Sequence, residues 1–331
     1  MLVMDNMGEI KEHAIYMDWN VAFGGKAMGN GHLFRVVTIA RFLAEKEKAD
    51  QDICEAGSWL HDIGLVSGLN DDFTRARGIA ESYLSHLPLS IETINRIANC
   101  VQVYGNFNQA ISLEAQIVHD ADILDGMGML GIIRHTWEIV NLIKPEATSH
   151  EISFLVKLLN ERRLYTATAR KLVAILDESF HQFFAQESKA AEMIGSFIKH
   201  AKDGIIPDMT MKELLIKTDN QALLYQIAIS DEILQAWYDL GHSNLSDVNL
   251  RDAYRHIQFH SCFISYSSKD KHFAQRLYVD LQAKGVRCWF APEDMKIGDE
   301  IRVRIDESIR LHDKLLIILS ENSVNSTWVE D

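Results

Sequence analysis

Residues 56–64, Ala56-Gly57-Ser58-Trp59-Leu60-His61-Asp62-Ile63-Gly64, place a histidine and an aspartate side by side at the end of an apolar stretch. The apolar positions before this pair recur at spacings of three and four from Ile53 onward, which is typical of one buried helix face. Gly64 then marks the end of the helix. The stretch therefore predicts a buried helix that carries an imidazole and a carboxylate at its C-terminal end.

The surrounding sequence continues the helical pattern in both directions. An apolar face upstream has the same spacing and consists of Leu33, Val36, Val37, Ala40 and Leu43. Only four prolines occur in the whole chain. We therefore predict that residues 1–200 form one mostly α-helical domain. Residues 201–258 contain further helical patterns without visible chemistry, and we interpret them as a helical connector or as an extension of the first domain.

The pattern changes after His260. Three short apolar runs of strand type, 262–266, 286–290 and 314–319, alternate with helical stretches. Strand–helix alternation is typical of a parallel sheet covered by helices. Residues 259–331 are therefore predicted to form an α/β domain, so that the chain as a whole is multidomain.

Composition narrows the classes of function. A chain of 331 residues is long enough for two domains. Its formal net charge of −14 gives no help in holding a phosphate backbone, so we expect no binding to duplex nucleic acid. The sequence has no apolar run of about 18 residues and no secretory signal, so no membrane segment is predicted. Four scattered cysteines favour free buried thiols in a cytoplasmic protein.

Histidines and aspartates from separate predicted helices form a candidate metal constellation. Its members are His32, His61, Asp62, Asp120, Asp122 and Asp125. Imidazole nitrogen suits transition metals such as Mn, Fe, Ni or Zn, and carboxylate also suits Mg. Such an ion acidifies a bound water and neutralises phosphate oxygens. The pattern thus points to hydrolysis of a phosphate ester.

Three blocks in this order, 29–37, 60–64 and 121–126, resemble the HD domain superfamily of metal-dependent phosphohydrolases. The resemblance implies an all-α helical bundle. It also implies the metal ligands His32, His61, Asp62 and Asp122, with Asp62 orienting the attacking water or acting as the base. The expected substrate is a nucleotide or another small phosphate ester.

The fourth ligand stays open between two aspartates of one predicted helix. The apolar stripe formed by Ile117, Ala121 and Leu124 puts Asp120 nearer the core, whereas the family pattern selects Asp122. We follow the family pattern. Tyr104 stands near the place where many binuclear members carry a further histidine, which favours one metal ion.

The sequence also leaves open which residue binds the phosphate group of the substrate. Leu65 stands where the family often has a lysine after the histidine–aspartate pair. Arg35, one turn after His32, is the remaining candidate for a catalytic phosphate clamp. The alternative is a structural ion pair between Arg35 and a ligand carboxylate.

A second resemblance covers residues 259–331. The blocks 263–270, 289–299 and 319–323 are similar to a bacterial-type TIR domain with a flavodoxin-like parallel sheet, as far as the first half of that domain. Members of this family either self-associate in signalling or cleave NAD. Self-association of this domain is therefore expected, and so is NAD as its substrate. An open apolar edge at 314–319 is a further reason to expect pairing with another chain.

Two residues of this segment are candidate NAD contacts. Ser267 follows the first strand, at the edge where open α/β sheets bind ligands, although a plain turn serine is the simpler interpretation. Trp328 is expected to line the same pocket or to belong to the core. The family's catalytic glutamate follows its tryptophan by four residues, so it would fall at position 332, and we expect the chain as given to lack NAD cleavage.

The sequence thus favours a metal-dependent phosphohydrolase fused to a TIR module. The alternative hypothesis is a bacterial defence signalling protein, in which the HD domain senses a nucleotide and a complete TIR domain cleaves NAD or assembles.

Overall fold

The computed structural model describes residues 3–67, 73–101, 112–160, 162–217, 226, 229–240, 261–283, 286–291, 305, 308–309, 312 and 314–324. The chain divides into two compact units, Met1–Ile257 and Gln258–Asp331. The first unit is built from helices, and the second contains a parallel sheet. Both predicted fold classes are therefore confirmed.

The first unit is a bundle of helices. Its helices are α1 (Met7–Tyr16), α2 (His32–Glu47), α3 (Gln51–Leu60), α4 (Phe73–Leu84), α5 (Ile91–Val101), α6 (Leu113–Asp125), α7 (Gly128–Glu138), α8 (Ser149–Asn160), α9 (Ala167–Phe184), α10 (Glu187–Lys202), α11 (Pro207–Lys217) and α12 (Asp231–Leu240). Two π-helical turns, Met17–Val21 and Ile139–Ile143, follow α1 and α7 directly.

Side-chain caps fix where several of these helices begin. Asp50 accepts a hydrogen bond from the backbone N–H of Ile53 at the start of α3. Ser112 does the same for α6, and Thr166 for α9. Each cap satisfies a backbone donor that has no partner within the helix, and each contributes about 1 kcal/mol.

Helix α2 lies at the centre of the bundle and packs against α3 and α6. The apolar face predicted from the sequence is buried along its whole length, from Leu33 at the start to Leu43 near the end. Packing of α2 between α3 and α6 brings the start of α2, the end of α3 and the C-terminal half of α6 together. These are the segments that carry the candidate metal ligands.

The stretch from 201 to 258 packs on the bundle wherever the structure describes it. Helix α11 contacts α7, and α12 contacts α2 and α9. Trp237 of α12 is fully buried in the same apolar cluster as Val36 and Leu43 of α2. These contacts favour the interpretation of this stretch as an extension of the first domain.

The second unit contains the strands β1 (Ser261–Ser265), β2 (Arg287–Trp289) and β3 (Lys314–Ile317), together with helix α13 (Lys271–Ala283). All pairings are parallel, and the strand order is β2-β1-β3. The register places Cys262 beside Cys288 and Phe263 beside Leu315. The three strand predictions are confirmed.

Two further observations concern the described residues. No helix among them is both long and apolar enough to cross a bilayer. The cysteines Cys54, Cys100, Cys262 and Cys288 are all buried free thiols.

Candidate metal centre

Two histidines from different helices point the same ring nitrogen at one spot. His32, the first residue of α2, lies 2.8 Å by its Nδ1 from Asp125 Oδ2. His61, directly after α3, lies 2.7 Å by its Nδ1 from the carbonyl oxygen of Ser58. Because each Nδ1–H donates to an oxygen, each Nε2 carries a lone pair whenever its ring is neutral. The two Nε2 atoms lie 3.1 Å apart.

Carboxylate oxygens surround this pair of nitrogens. Asp62 Oδ2 lies 3.2 Å from His32 Nε2, and Asp62 Oδ1 lies 3.4 Å from His61 Nε2. Asp122 Oδ1 lies 3.4 Å from His32 Nε2 and 3.6 Å from His61 Nε2. Ligand atoms of His32, His61 and Asp122 all lie within 4.8 Å of one another.

This donor set fits a divalent cation. Ligand atoms bound about 2.1 Å from one ion are themselves about 3.0–3.4 Å apart, which is close to the separations observed here. Two lone pairs that face each other across 3.1 Å repel unless a positive charge lies between them. Two imidazole nitrogens with carboxylates match Mn, Fe, Ni or Zn better than Ca.

The raised pKa values of the two histidines also favour positive charge at this position. Burial and Arg134 would lower the pKa of His32, but the hydrogen bonds to Asp125 and Asp62 outweigh them and raise it to about 10. The pKa of His61 is also raised, because Asp62 and Asp122 outweigh its burial. In the metal-free state, protonated His32 and His61 supply the positive charge that a bound cation would supply.

Asp125 connects the centre to two buried arginines. Arg35 Nε donates to its Oδ1 at 2.5 Å, and Arg134 Nη1 donates to its Oδ2 at 2.8 Å. Burial would raise the pKa of Asp125, but Arg35 and Arg134 hold it well below its usual range. The carboxylate therefore stays ionised and keeps His32 in one orientation.

Arg35 is engaged on all sides that the structure describes. Besides Asp125, its guanidinium donates to Asp208, the second residue of α11, which also accepts from the backbone N–H of Gly31. Arg35 is buried and is not among the residues that line the cavity described below. Arg35 is thus part of an ion pair, but its partners are Asp125 and Asp208 and not the predicted ligand carboxylates. Its role as a phosphate clamp stays a prediction.

Asp120 and Asp122 lie in different surroundings although both belong to α6. Asp120 Oδ2 accepts hydrogen bonds from the backbone N–H and the hydroxyl of Thr166, and Oδ1 accepts from the backbone N–H of Tyr165. Asp122 instead contacts His32 and His61. Asp122 thus lies in the cluster of candidate ligands, and Asp120 anchors the start of α9.

A cavity of about 310 Å³ opens over the candidate ligands. Its lining combines acidic, basic and apolar side chains. Its lining includes Asp18, Phe23, Asn30, His32, His61, Asp62, Leu65, Asp122, Arg134, His135, Trp137, Glu138, Leu142, Ile143 and Arg162. The ring of Phe23 meets Trp137 edge to face, with centroids 5.5 Å apart. The cavity suits a small ligand with an anionic end and an apolar end.

Sequence reasoning missed several residues of this cavity. Arg134 lies nine residues after Asp125 on the next helix, and Arg162 lies between α8 and α9, so no short motif joins them to the histidines. Asp18 lies on the π-helical turn Met17–Val21, which sequence periodicity does not predict. The acidic and basic character of these side chains was visible, but their convergence depends on tertiary packing.

The candidate residues of the second unit are only partly described. Ser267 directly follows the first strand region and is buried, with its carbonyl oxygen accepting from the backbone N–H of Asp270. Trp328 lies outside the described residues, and so does Tyr104 of the first unit. Ser267 therefore stays a prediction as an NAD contact, and no geometry tests the other two positions.

Family models match two separate parts of the chain. The HD domain family matches residues 30–127, which contain His32, His61, Asp62 and Asp122. The family TIR_2, described as a TIR domain, matches residues 262–331. The two matches occur in the order expected from the sequence blocks.

Individual relatives match shorter stretches. The probable 2′ cyclic ADP-D-ribose synthase TcpO of Methanobrevibacter olleyae is 30% identical over 102 residues, which is 30% of this chain and 30% of that protein. The NAD(+) hydrolase TcpC of Escherichia coli is 31% identical over 98 residues, 29% of this chain and 31% of that protein. The chain thus spans about a third of the length of these curated relatives.

A third relative is the uncharacterized protein YpgQ of Bacillus subtilis, 32% identical over 111 residues, which cover 31% of this chain and 53% of YpgQ. The crystal structure of YpgQ in complex with ADP aligns with 57% of this chain and 96% of that chain, with 21% identity and a TM-score of 0.43.

Proposed function

Because this chain joins an HD domain at residues 30–127 to a TIR domain at residues 262–331, we propose that its first unit is a metal-dependent phosphohydrolase. The substrate class is a nucleotide or another small phosphate ester. The observation that carries this proposal is the convergence of His32 Nε2 and His61 Nε2 with the carboxylates of Asp62 and Asp122 at one wall of a ligand-sized cavity.

In this proposal His32, His61, Asp62 and Asp122 hold one divalent cation. When bound, such an ion polarises a phosphoryl oxygen and makes a coordinated water more acidic. The protein's own contribution begins with Asp125, which fixes the ring of His32 through Nδ1. Ser58 fixes His61 in the same way through its carbonyl oxygen. Both rings are therefore oriented before any ligand enters.

In this proposal two arginines of the cavity bind the phosphate group of the substrate. The Nη2 atom of Arg134 lies 3.4 Å from His32 Nε2, so its guanidinium borders the site of reaction. Arg162 is exposed and lines the cavity as well. A guanidinium binds phosphate oxygens through several N–H groups at once. We assign the phosphate contact to these residues, and we assign Arg35 to the support of Asp125.

The test is hydrolysis of a substrate panel by purified protein loaded with Mn, Fe, Ni, Zn or Mg. The panel contains nucleoside mono-, di- and triphosphates and p-nitrophenyl phosphate, and the measurement is phosphate release together with separation of products. We expect turnover that chelation abolishes and that His61→Ala lacks. Absence of turnover with every metal would contradict the proposal.

Observations on the second unit support a second candidate function. The TIR_2 match and the names of TcpO and TcpC favour NAD as its substrate. In this candidate function the chain is a bacterial defence protein whose HD unit senses a nucleotide. Leu315 and Ile317 of β3 are about half exposed, which supports self-association. NAD binding by the chain, measured by ligand-observed NMR, should weaken in Ser267→Ala. The exposed neighbour Ser268 provides the matched control, because Ser268→Ala should bind NAD like the wild type.

A further inference from the structure

Among the described residues, four carboxylates line the cavity, and three of them contact neighbouring side chains. Asp62 and Asp122 each approach the Nε2 atoms of His32 and His61. Glu138 lies 3.1 Å by its Oε2 from His135 Nδ1 and accepts from Arg134 Nη2 through its Oε1 at 3.4 Å. The fourth carboxylate, Asp18, differs from the others because its Oδ2 has no hydrogen-bond partner among the described residues.

The local backbone holds Asp18 in place. It lies on the π-helical turn Met17–Val21, a geometry that is rare and often found at functional sites. The next residue, Trp19, is buried and donates from its indole nitrogen to the carbonyl oxygen of Asn30 at 3.0 Å. Asn30 in turn accepts from the backbone N–H of His32 through its side chain. The turn that carries Asp18 is thus tied to the start of α2.

The electrostatic surroundings of Asp18 are those of the metal centre. Its side chain is buried, with 5% exposure of the residue. Burial and the nearby carboxylate of Asp62 raise its pKa to about 7, against the opposing effects of His32, His61 and Arg134. The groups that act on it are therefore candidate ligands and the candidate phosphate contact.

A buried carboxylate oxygen without a partner is energetically costly, and such groups in native proteins call for an explanation. Asp18 lines the cavity, so a water or substrate group in the cavity could donate a hydrogen bond to its carboxylate. The other three carboxylates cannot serve this purpose without giving up the contacts they already make.

We propose that Asp18 is a catalytic residue, the acceptor that orients the attacking water and takes its proton. The water oxygen forms the new bond to phosphorus, and the bond from phosphorus to the leaving oxygen breaks with its electron pair going to that oxygen. One proton of the water passes to the carboxylate of Asp18, which becomes a carboxylic acid. This assignment rests on the proposed phosphohydrolase function. It makes Asp18 the base in place of Asp62.

The test compares Asp18→Asn with the wild type in two measurements. The first is metal stoichiometry and the rise in melting temperature on adding Mn, which we expect to be unchanged because Asp18 is not a ligand. The second is steady-state hydrolysis of the best substrate of the panel. We expect kcat to fall about 100-fold or more, with KM within about threefold of the wild type. Asp5→Asn, which alters an exposed carboxylate of the same N-terminal segment, should behave like the wild type.

A second variant separates catalysis from folding. Asp18→Ala opens space beside the same spot, and added formate should restore part of its kcat, which a merely structural role would not allow. Wild-type kcat in Asp18→Asn would overturn the role of Asp18 alone, and so would loss of the metal in that variant. Absence of turnover by the wild type with every metal would instead overturn the proposed function, and this inference with it.

Discussion

Asp125 fixes His32 through Nδ1, at 2.8 Å, on the side of the ring opposite the Nε2 atom that faces His61. Asp125 is itself held by Arg35 and Arg134. The orientation of one candidate ligand thus depends on a buried network that extends through Arg35 to Asp208 of α11. Supporting groups of this kind commonly change metal affinity 10- to 100-fold when they are removed.

Replacement of Asp125 by asparagine should therefore affect both stability and metal binding. Asp125→Asn removes a negative charge from between Arg35 and Arg134, and both guanidiniums are buried. We expect the free energy of unfolding to fall by about 3 kcal/mol and the metal affinity to fall at least tenfold. Urea unfolding and calorimetric metal titration measure the two effects. Unchanged metal affinity would contradict the supporting role.

The stability effect of Asp125 should depend on pH in a defined direction. Although burial opposes ionisation, Arg35 and Arg134 hold the pKa of Asp125 below that of the unfolded chain. A group of this kind stabilises the folded state above its unfolded pKa of about 3.9, and the stabilisation is lost as the pH falls further. The difference in unfolding free energy between the wild type and Asp125→Asn should be constant from pH 7 to about pH 4 and shrink below it.

Metal content is the most direct check of the centre. We expect about one Mn, Fe, Ni or Zn ion per chain, lost in His61→Ala and in Asp62→Ala because each change removes a group that converges on the same spot. Elemental analysis after purification gives the stoichiometry. A wild-type protein without bound metal, and with a melting temperature that no metal changes, would disprove the assignment. A tightly bound second ion would disprove the mononuclear part.

Metal binding should release protons and strengthen as the pH rises. The pKa of His32 in the metal-free protein is raised to about 10, above the unfolded value of about 6.5. Its proton therefore stabilises the metal-free fold fully below pH 6.5, and this contribution is lost as the pH rises through 10. Because the metal replaces that proton, its apparent affinity should increase between pH 6 and pH 8.5. Calorimetry in buffers of different ionisation enthalpy measures the protons released, and a pH-independent affinity would contradict this account.

The helical domain and its candidate ligands were predictable because they are local. Apolar spacing in α2 and α3 identifies the buried faces, and His61 and Asp62 are adjacent in sequence. The strands β1 to β3 were equally readable as short apolar runs between turns. Such elements can be predicted because the spacing of apolar residues along the sequence is enough to distinguish a helix from a strand.

The partners of Arg35 were not predictable for the opposite reason. Asp208 lies 173 residues away on α11, and nothing in the sequence around Pro207 indicates that this helix docks beside α2. The same holds for Asp18, whose place in the cavity depends on a π-helical turn and on the packing of Trp19. Such residues belong to the site through tertiary structure alone.

Arg35, the phosphate clamp expected from the sequence, and Arg162, an exposed arginine of the cavity, can be distinguished by kinetics. Arg162→Ala should raise KM about tenfold with little effect on the free energy of unfolding, because Arg162 is exposed and lines the cavity. Arg35→Ala should lower the free energy of unfolding by about 3 kcal/mol, because Asp125 loses a buried partner. Steady-state kinetics and urea unfolding of both variants test this. A raised KM in Arg35→Ala at full stability would restore Arg35 as the phosphate clamp.

Asp120 and Asp122 provide the sharpest test of the ligand set, because they are two residues apart on one helix and have different partners. Asp122→Ala should abolish metal binding and turnover together while the fold persists, since its ion-pair partners among the described residues are His32 and His61. Asp120→Ala should instead destabilise the protein by about 2–4 kcal/mol, because the backbone N–H groups of Tyr165 and Thr166 lose a buried acceptor.

The milder variant Asp120→Asn completes this comparison, because the amide oxygen can still accept from Thr166 and more of the protein should remain folded. We expect it to bind metal with wild-type stoichiometry at a temperature well below its melting point, whereas Asp122→Asn should bind metal weakly even when fully folded. Elemental analysis and thermal melts on the four variants separate the two aspartates. If the Asp120 variants lose the metal and the Asp122 variants keep it, the fourth ligand is Asp120 and the geometry of α6 must change when the ion binds.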